Sequence, residues 1–359
     1  MRTHIYTLPA LLALLLSLTA PARAQSDFRG RLEMLKEMNA EEYTRPLATG
    51  TGIGLNGGVV RSADLHDLFG FDISLNMSGM VLPKSAKTYT YDISALSGLY
   101  LEEITIDGYQ VSLDVSDVYS PEENAPTFYG SNRAPRITPD RSAAENAIVA
   151  SVAYQSGLSE DQVVTQYGEA IQNAVDDIEP LALIPNGILD TRIWGMPSIQ
   201  LSLGLPFSTE IQVRYLPTYN DEEGLGKFSL FGAGGRVDLD QFFPDPFFPV
   251  DIAAGAFFQK IQLGPVDISS NIYHIDVSRK LPMLTVYGGL GLEATTLTAI
   301  YPAYIWFSDS ITVDLEVRGH NQFRGTIGIQ KTVSIFAINL DYNLGTFQSI
   351  NLSLGLSFR

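Results

Sequence analysis

The chain has 359 residues, of which 45% are hydrophobic and 18% are charged, and its formal net charge is −17. Such an acidic chain is a poor partner for nucleic acid, because phosphate binding requires basic surface. The sequence contains no cysteine, which excludes disulfides and thiol chemistry. A chain of this length can still bury a stable core without crosslinks.

The first 24 residues predict a secretory signal peptide that is removed from the mature chain. Arg2 and His4 precede an apolar run from Leu8 to Leu18, and Ala22-Arg23-Ala24 is a small-x-small cleavage site. No later stretch approaches the roughly 18 to 20 apolar residues that a membrane-spanning helix needs. Because only helices and closed barrels span membranes, an exported chain of this kind enters a membrane as a β-barrel.

Residues 25–44 predict an N-terminal helical segment in the periplasm or in a barrel lumen, because apolar residues recur at helical spacing between Ser26 and Tyr43. Residues 45–359 then contain strand candidates separated by turn signals, and Asp107-Gly108 divides the third candidate into a hairpin. The candidates are Pro46–Val60, Phe69–Leu82, Leu99–Val118, Ile193–Leu205, Glu210–Pro217, Lys227–Leu239, Val250–Leu263, Ile268–Leu281, Leu284–Ala299, Ile311–Val317, Phe323–Lys331, Ile335–Leu344 and Gln348–Phe358. The predicted fold is all-β, a transmembrane antiparallel β-barrel of about 14 strands with a small helical insertion.

The last strand candidate shows the alternation most clearly. From Gln348 to Phe358, apolar residues occupy one face and small or polar residues the other. About 9 to 11 residues cross a bilayer as a tilted strand, with the apolar face toward lipid. The alternative is a soluble β-sandwich with one wet face. The many alternating runs and the aromatic residue near the C-terminus favour the barrel.

A helical insertion interrupts the strands at about 141–179. Its apolar spacing predicts two helices joined at Gly157-Leu158-Ser159, with Ser159 and Asp161 as candidate caps. The insertion either packs on one end of the barrel or gates passage through the lumen, and the sequence leaves both open.

Six charged residues on the polar faces of strands are expected to face the lumen. A basic residue on the lipid face costs roughly 2 to 4 kcal/mol at mid-bilayer. The six are Arg214, Asp314, Glu316, Arg318, Arg324 and Asp341. They either line a selective path or form a cross-strand network that fills a closed lumen.

A loop rich in phenylalanine and proline runs from Asp238 to Pro249. Counting strands back from a closing strand that ends in the periplasm places this loop on the extracellular side. Its four aromatic residues are Phe242, Phe243, Phe247 and Phe248. They form either a capture patch for a hydrophobic molecule or an interfacial girdle or packed loop.

Catalytic and metal-binding signals are sparse. The three histidines that remain after signal removal lie far apart, without the spacing of metal ligands. For His320, the functional interpretation is a base near Ser308, Asp309 or Ser310, and the favoured interpretation is a polar loop histidine, since no nucleophile has an activated setting. We therefore predict no metal, no cofactor and no enzymatic activity.

Several short motifs run through the mature chain. They are Tyr43-Thr44-Arg45-Pro46-Leu47, Gly52 to Gly58, Phe69 to Ser74, Val213 to Pro217, Lys227 to Gly234, Phe323 to Gly328 and Phe358-Arg359. Together they resemble a family of functionally uncharacterised outer-membrane barrel proteins, which is similar in architecture to FadL-type channels for long-chain fatty acids and hydrocarbons. The helical block at 141–179 departs from the family pattern. The expectation that the chain transports a hydrophobic substrate rests on this similarity of fold and not on a recognised site.

The sequence thus predicts a porin-like barrel in the outer membrane of a Gram-negative bacterium. The expected function is a passive channel for small hydrophobic solutes, and the alternative is a non-conducting structural or surface-interaction barrel. The expected partners are outer-membrane lipid, the barrel-assembly machinery and a hydrophobic small molecule.

Overall fold

The computed structural model describes residues 35, 37–221, 226–242, 249–305 and 309–358. The predicted signal peptide, residues 1–24, and much of the predicted segment 25–44 lie outside the described residues. Within them, the α-helices are α1 (Glu37–Asn56), α2 (Val115–Val118), α3 (Arg141–Ser156) and α4 (Glu160–Asp176). No helix in this part of the chain is long and apolar enough to cross a membrane.

Fifteen strands occur in the described ranges. They are β1 (Phe71–Val81), β2 (Thr88–Tyr91), β3 (Ile104–Ile106), β4 (Tyr109–Val111), β5 (Glu122–Pro126), β6 (Ile193–Leu205), β7 (Thr209–Asp221), β8 (Gly226–Asp238), β9 (Asp251–Leu263), β10 (Val266–Lys280), β11 (Thr285–Ile305), β12 (Asp309–Arg318), β13 (Phe323–Val333), β14 (Phe336–Leu344) and β15 (Gln348–Phe358).

Ten of these strands close into an antiparallel barrel. Their order is β1-β6-β7-β8-β9-β10-β11-β13-β14-β15, and pairing of β15 with β1 completes the ring. This confirms the predicted antiparallel barrel, and the total strand number is near the expected 14 although fewer strands form the wall. The other five described strands lie outside the ring. Four of them belong to residues 82–192. The fifth, β12, pairs with the second half of β11, from Thr296 to Ile305.

The two ends of the barrel differ in what they carry. One end, called the C-terminal end, holds Phe71 and Phe358, whose rings stack with centroids 4.7 Å apart. The opposite end holds Val81 and Ile193, which are paired to each other. Residues 82–192 are inserted between these two residues and form a separate layer over that end, called the cap. The opposite end is therefore called the cap end.

The outward faces of the barrel strands form a continuous apolar belt. Because side chains alternate along a strand, each strand places apolar residues outside and polar residues inside. Exposed members of the belt are Ile73, Leu201, Ile211, Tyr215, Phe231, Phe258, Tyr273, Ile275, Leu290, Leu292, Ile327, Ile329, Ile338, Leu340, Leu352 and Leu354. Inside, Asn351 and Ser353 of β15 are fully buried. The predicted faces of the last strand are confirmed.

The lumen is occupied by the chain's own N-terminal part. Residues Pro46–Val60 were predicted as the first strand, and this prediction is wrong, because α1 continues to Asn56 and packs against several strands of the wall. The alternating glycines, which had favoured a strand, instead allow the helix backbone to approach the wall closely. A Cβ atom at Gly54 would lie 2.7 Å from Met80 Sδ, and one at Gly52 would overlap the side chain of Thr295.

The cap contains the predicted helical insertion. Helices α3 and α4 are confirmed, with Gly157 in the left-handed region at φ 74° where α3 ends. Ser159 begins α4 through a capping box with Gln162, whereas Asp161 lies in the first turn. The segment Leu99–Val118 was predicted to form barrel strands and instead forms β3, β4 and α2 inside the cap. Their apolar side chains are buried in a core that the cap shares with α1 and with the cap end of the wall.

Strand β12 corrects two predictions. Its apolar residues Val313, Leu315 and Val317 are buried beside α1, so Asp314, Glu316 and Arg318 point outward and are exposed, not in the lumen. The physical reason is that β12 extends past the belt, where its apolar face covers a helix and its charged face meets water. Both β12 and β13 pair antiparallel with β11, so the two run in the same direction. Counting them as opposed strands reversed the predicted side of the loop from Asp238 to Pro249.

We expect the belt to be sensitive to charge at mid-height only. Leu354→Arg, between Leu75 and Ile338 on the outward face, should destabilise the folded barrel by roughly 2 to 4 kcal/mol in a bilayer. Gln348→Arg is the matched control, since Gln348 lies on the same face of β15 at its cap end and should cost only about 0 to 1 kcal/mol. Urea unfolding in liposomes measures both. Equal costs would show that the belt does not contact lipid.

Candidate functional site: the lumen and its plug

The plug is defined as residues 47–66, which run through the barrel from the cap end to the C-terminal end. Its first part is the second half of α1. After Asn56 the chain turns at Gly58, which has φ 67° and leaves no space for a side chain, because a Cβ atom there would lie 2.5 Å from Asn351 Nδ2. The remaining residues are extended and lead to His66, close to the start of β1.

Arginines of the wall bind the carbonyl groups where α1 ends. Arg324 donates to the Ile53 carbonyl at 2.6 Å, and Arg214 donates to the carbonyls of Leu55 and Gly57, the latter at 2.8 Å. The last four carbonyls of a helix have no partner within the helix and carry partial negative charge. The two guanidinium groups therefore satisfy the helix end in a lumen from which the plug displaces water.

The extended part of the plug is bound in the same way. Arg236 of β8 donates to the Ser62 carbonyl at 2.5 Å. In return, Arg61 of the plug forms an ion pair with Asp72 at 3.0 Å and donates to Asn76 at 2.7 Å. Plug and wall thus exchange charge-assisted hydrogen bonds in both directions, and these are roughly twice as strong as neutral ones.

Acidic residues of the wall neutralise these arginines. Near the C-terminal end, Arg236 lies 3.5 Å from Glu210 and 3.1 Å from Asp276. Glu210 also contacts His66 Nδ1 at 2.7 Å, and Asp276 contacts His274 Nδ1 at 2.8 Å. Nearer the cap end of the lumen, Arg324 pairs with Glu293. Buried charges are tolerated only when they are paired, and each of these arginines has a carboxylate within 4 Å.

Three of the six predicted lumen charges lie in this network. Arg214 and Arg324 bind the plug, and Asp341 accepts hydrogen bonds from Tyr287 at 3.2 Å, Asn343 at 2.8 Å and Asn351 at 3.1 Å. All three are almost fully buried. The structure therefore brings these three into a packed network, whereas the three charges of β12 lie outside the barrel.

The phenylalanine-rich loop lies at the C-terminal end, not at the end first expected. It connects β8 to β9, and Val237 of β8 pairs with Thr209 at the start of β7, beside the turn that follows β6. Phe242 is exposed. Phe243, Phe247 and Phe248 lie outside the described residues. The loop is thus at the end of the barrel opposite the cap.

The described histidines each contact a charged side chain, and His66 Nε2 also lies 3.3 Å from Ser357 Oγ. His320 Nε2 lies 3.3 Å from Arg45 Nη1, and His66 and His274 each contact a carboxylate in the lumen. Ser308 lies outside the described residues. Among the residues that are described, no group of three or more histidine and acidic side chains is arranged to hold a metal ion.

Sequence reasoning missed Arg61, Arg236 and Glu293, which carry much of the network. Their signal was weak but present. Glu293 is the one charged residue of β11, whereas β8 carries Lys227 and Asp238 besides Arg236, and both Arg236 and Glu293 occupy inward positions of the period-two pattern. Arg61 follows the glycine-rich stretch and had been placed just after a strand. Where several strands each carry an inward-facing charge, we expect charges of opposite sign on different strands to be partners in the lumen.

Comparisons with known proteins add a family and a distant fold match. A family model described as "Family of unknown function (DUF6588)" matches residues 1–358, and the chain therefore belongs to that family. No curated protein matches the chain. Among solved structures, the chain is similar to Ail, the attachment invasion locus protein of Yersinia pestis, in complex with the heparin analogue sucrose octasulfate. That match has 8% identity and a TM-score of 0.22, and it covers 81% of this chain and 99% of that chain.

The position of the plug can be tested with a disulfide. Ser62 Oγ and Ser278 Oγ lie 3.2 Å apart, and the chain has no native cysteine. Because sulfur atoms bond at about 2.05 Å, Ser62→Cys with Ser278→Cys should crosslink after a small rotation of the side chains. We expect near-complete crosslinking under mild oxidation, seen as a shift in mobility of the unfolded chain on a gel.

The matched control is Ser62→Cys with Ser269→Cys. Ser269 belongs to the same strand as Ser278 but is exposed on the outer face. Its thiol should stay reduced. Crosslinking of the control pair, or none in the first pair, would mean that residues 59–66 do not run along β10.

Proposed function

We propose that this member of the family is an outer-membrane barrel that is closed by its own plug and holds the cap at the cell surface. The observation that carries the proposal is the hydrogen bonding of the plug across the lumen. Residues of the plug bond directly to β1, β7, β8, β9, β10, β13 and β15, seven of the ten wall strands. The proposed role is a non-conducting surface anchor, and it includes no chemical step.

The apolar belt supports a membrane location. Exposed leucine, isoleucine, valine and aromatic side chains surround the barrel, far beyond the few hundred Å² of contiguous apolar surface usual on a soluble protein. Aromatic residues lie at both edges of the belt, with Phe71 and Phe358 at one and Tyr215, Phe231 and Phe258 at the other. Transmembrane barrels show the same arrangement at the two membrane interfaces. The signal peptide and the Gram-negative outer membrane are parts of this proposal.

The position of the cap supports its orientation. Bacterial outer-membrane barrels have short periplasmic turns and longer extracellular connections. At the C-terminal end, the turns after β6, β10 and β13 have only two to four residues and the loop after β8 has 12, whereas the cap, residues 82–192, is inserted at the opposite end. We therefore place the C-terminal end in the periplasm and the cap outside. Outer-membrane lipid and the barrel-assembly machinery are the partners that this location requires.

A passive channel for hydrophobic solutes is the competing function. A solute could pass only if the plug left the lumen, which would leave Asp72 without Arg61 and would remove the plug carbonyls to which Arg214 and Arg236 donate. Removing one partner of a buried pair typically costs about 3 to 5 kcal/mol. The lumen wall is also polar, which suits a hydrophobic solute poorly. These points favour the anchor over the channel.

Orientation is measured by labelling single cysteines in intact cells. Tyr154→Cys on α3 and Phe207→Cys in the turn after β6 replace side chains that are 91% and 87% exposed, at opposite ends of the molecule. We expect a membrane-impermeant maleimide to label the first in intact cells and the second only after the outer membrane is permeabilised. The reverse result would invert the orientation. If neither cysteine is labelled, in intact or in permeabilised cells, the result would contradict export.

Transport is measured with the crosslinkable variant, Ser62→Cys with Ser278→Cys. A closed anchor admits no hydrophobic or hydrophilic solute into liposomes, whether the disulfide is reduced or oxidised. A channel that moves its plug admits solute only when the disulfide is reduced. Uptake is normalised to the folded fraction, and liposomes that contain an open porin verify the assay. Uptake confined to the reduced state would replace the anchor with the channel.

A further inference from the structure

A groove of about 540 Å³ runs along the outer face of the barrel across β8, β9, β10 and β11. Phe231 and Phe258 form one side of it, and Ala233 and Ala294 form part of its base. Its volume lies within the range of about 300 to 1,000 Å³ typical of small-molecule sites. Unlike the lumen, this space is open to the surroundings of the barrel.

Small outward side chains create the groove. In the belt next to it, the outward positions of β10 and β11 carry the large residues Tyr273 and Leu292, which pair with each other. One step toward the cap end, the same strands carry Asn271 and Ala294, which also pair. The wall is therefore recessed just above the belt, and the ring of Phe258 stands at its edge, packed on Tyr273 with centroids 5.7 Å apart.

An ion pair lies at the rim of the groove on its cap side. Lys260 lines the groove, and its Nζ atom is 2.9 Å from Asp267 Oδ2. Both side chains are accessible to solvent. The pair follows directly on the aromatic edge of the belt, and aromatic residues mark the level of lipid head groups in membrane proteins. Charges of both signs thus lie at head-group depth, next to a recess of mainly apolar lining.

We propose that the groove binds one membrane lipid whose head group carries both a phosphate and a primary ammonium group. This inference rests on the proposed membrane location. An acyl chain lies in the recess beside Phe231 and Phe258. The phosphate lies against the ammonium group of Lys260, and the lipid ammonium donates to the carboxylate of Asp267. Charge complementarity selects this lipid, since an anionic head group meets repulsion from Asp267 and a quaternary ammonium has no proton to donate.

Binding to the purified, delipidated full chain in detergent tests the proposal. The probes are phosphatidylethanolamine, phosphatidylcholine and phosphatidylglycerol with identical acyl chains, and the readout is the bound lipid measured by native mass spectrometry. We expect at least fivefold more phosphatidylethanolamine than either other lipid. Lys260→Gln and Asp267→Asn should each abolish this preference. Lys280→Gln, an exposed lysine where β10 ends at the C-terminal end of the barrel, should leave it unchanged.

A second variant separates head-group selection from the recess itself. Ala294→Phe fills the base of the groove without changing charge, so it should reduce binding of all three lipids, while heat-modifiable gel migration reports that the barrel is folded. Equal binding of the three lipids, or a preference for phosphatidylglycerol, would overturn the proposal. A lipid-free dimer that Ala294→Phe disrupts would assign the groove to a second copy instead. These measurements use purified protein, so their failure is distinct from failure of the labelling experiment in cells.

Discussion

The architecture depends on the hydrogen bonds that wall arginines donate to the end of α1. A helix that ends inside a closed barrel has carbonyl groups that no water reaches and that nothing within the helix satisfies. Arg214 and Arg324 supply those donors. Arginine suits the task because its planar group offers several donors in fixed directions and stays charged when buried. Arg324 is in turn paired with Glu293, and Arg214 donates to Gln200, so one helix end accounts for a network of polar contacts along the lumen.

The width of the barrel and the glycine content of α1 are linked. Eight strands enclose an interior that side chains alone can fill. Ten strands leave more room, and here a helix whose second half contains three glycines fills it. Gly50, Gly52 and Gly54 lie where any Cβ atom would contact the wall or the cap at 3 Å or less. The same crowding explains the interruption between β12 and β13, because a Cβ atom on Gly319 would approach the backbone of Thr49 to 3.2 Å.

The sequence predicted features that depend on local periodicity and missed those that depend on what a segment packs against. Alternation in β15 and the caps of α3 and α4 are local signals, so the belt and the helical pair were predicted correctly. The stretch 46–60 contains a proline and many glycines, which disfavour an isolated helix by about 1 kcal/mol per glycine relative to alanine. Only the surrounding wall and its arginines make it helical. A helix interior to a barrel cannot be recognised from its own residues.

The errors in β12 have a related cause. Alternation shows that a strand has two unlike faces, but not which of them faces inward. That choice depends on whether the strand lies at the depth of the membrane or beyond it, and β12 lies beyond it, beside α1. The bend at Gly319 also resembled a turn, although the chain continues in the same direction. Half of the predicted lumen charges, and the side of the phenylalanine-rich loop, followed from these two choices.

The charge of the molecule is divided according to what each part can tolerate. In the lumen, Arg61, Arg236 and Arg324 are paired with carboxylates, because an unpaired charge there would be strongly destabilising, and Arg214 donates to Gln200 and to carbonyls of the plug. Residues 82–192, by contrast, contain 17 acidic and six basic residues, so most of the net charge belongs to the cap. Dissolved salt ions screen charges on that surface over about 10 Å at 0.1 M ionic strength, so self-repulsion costs little there. The acidity that excluded nucleic acid at the outset is therefore a property of the exposed cap, and the barrel beneath it is close to neutral where charge would matter most for folding.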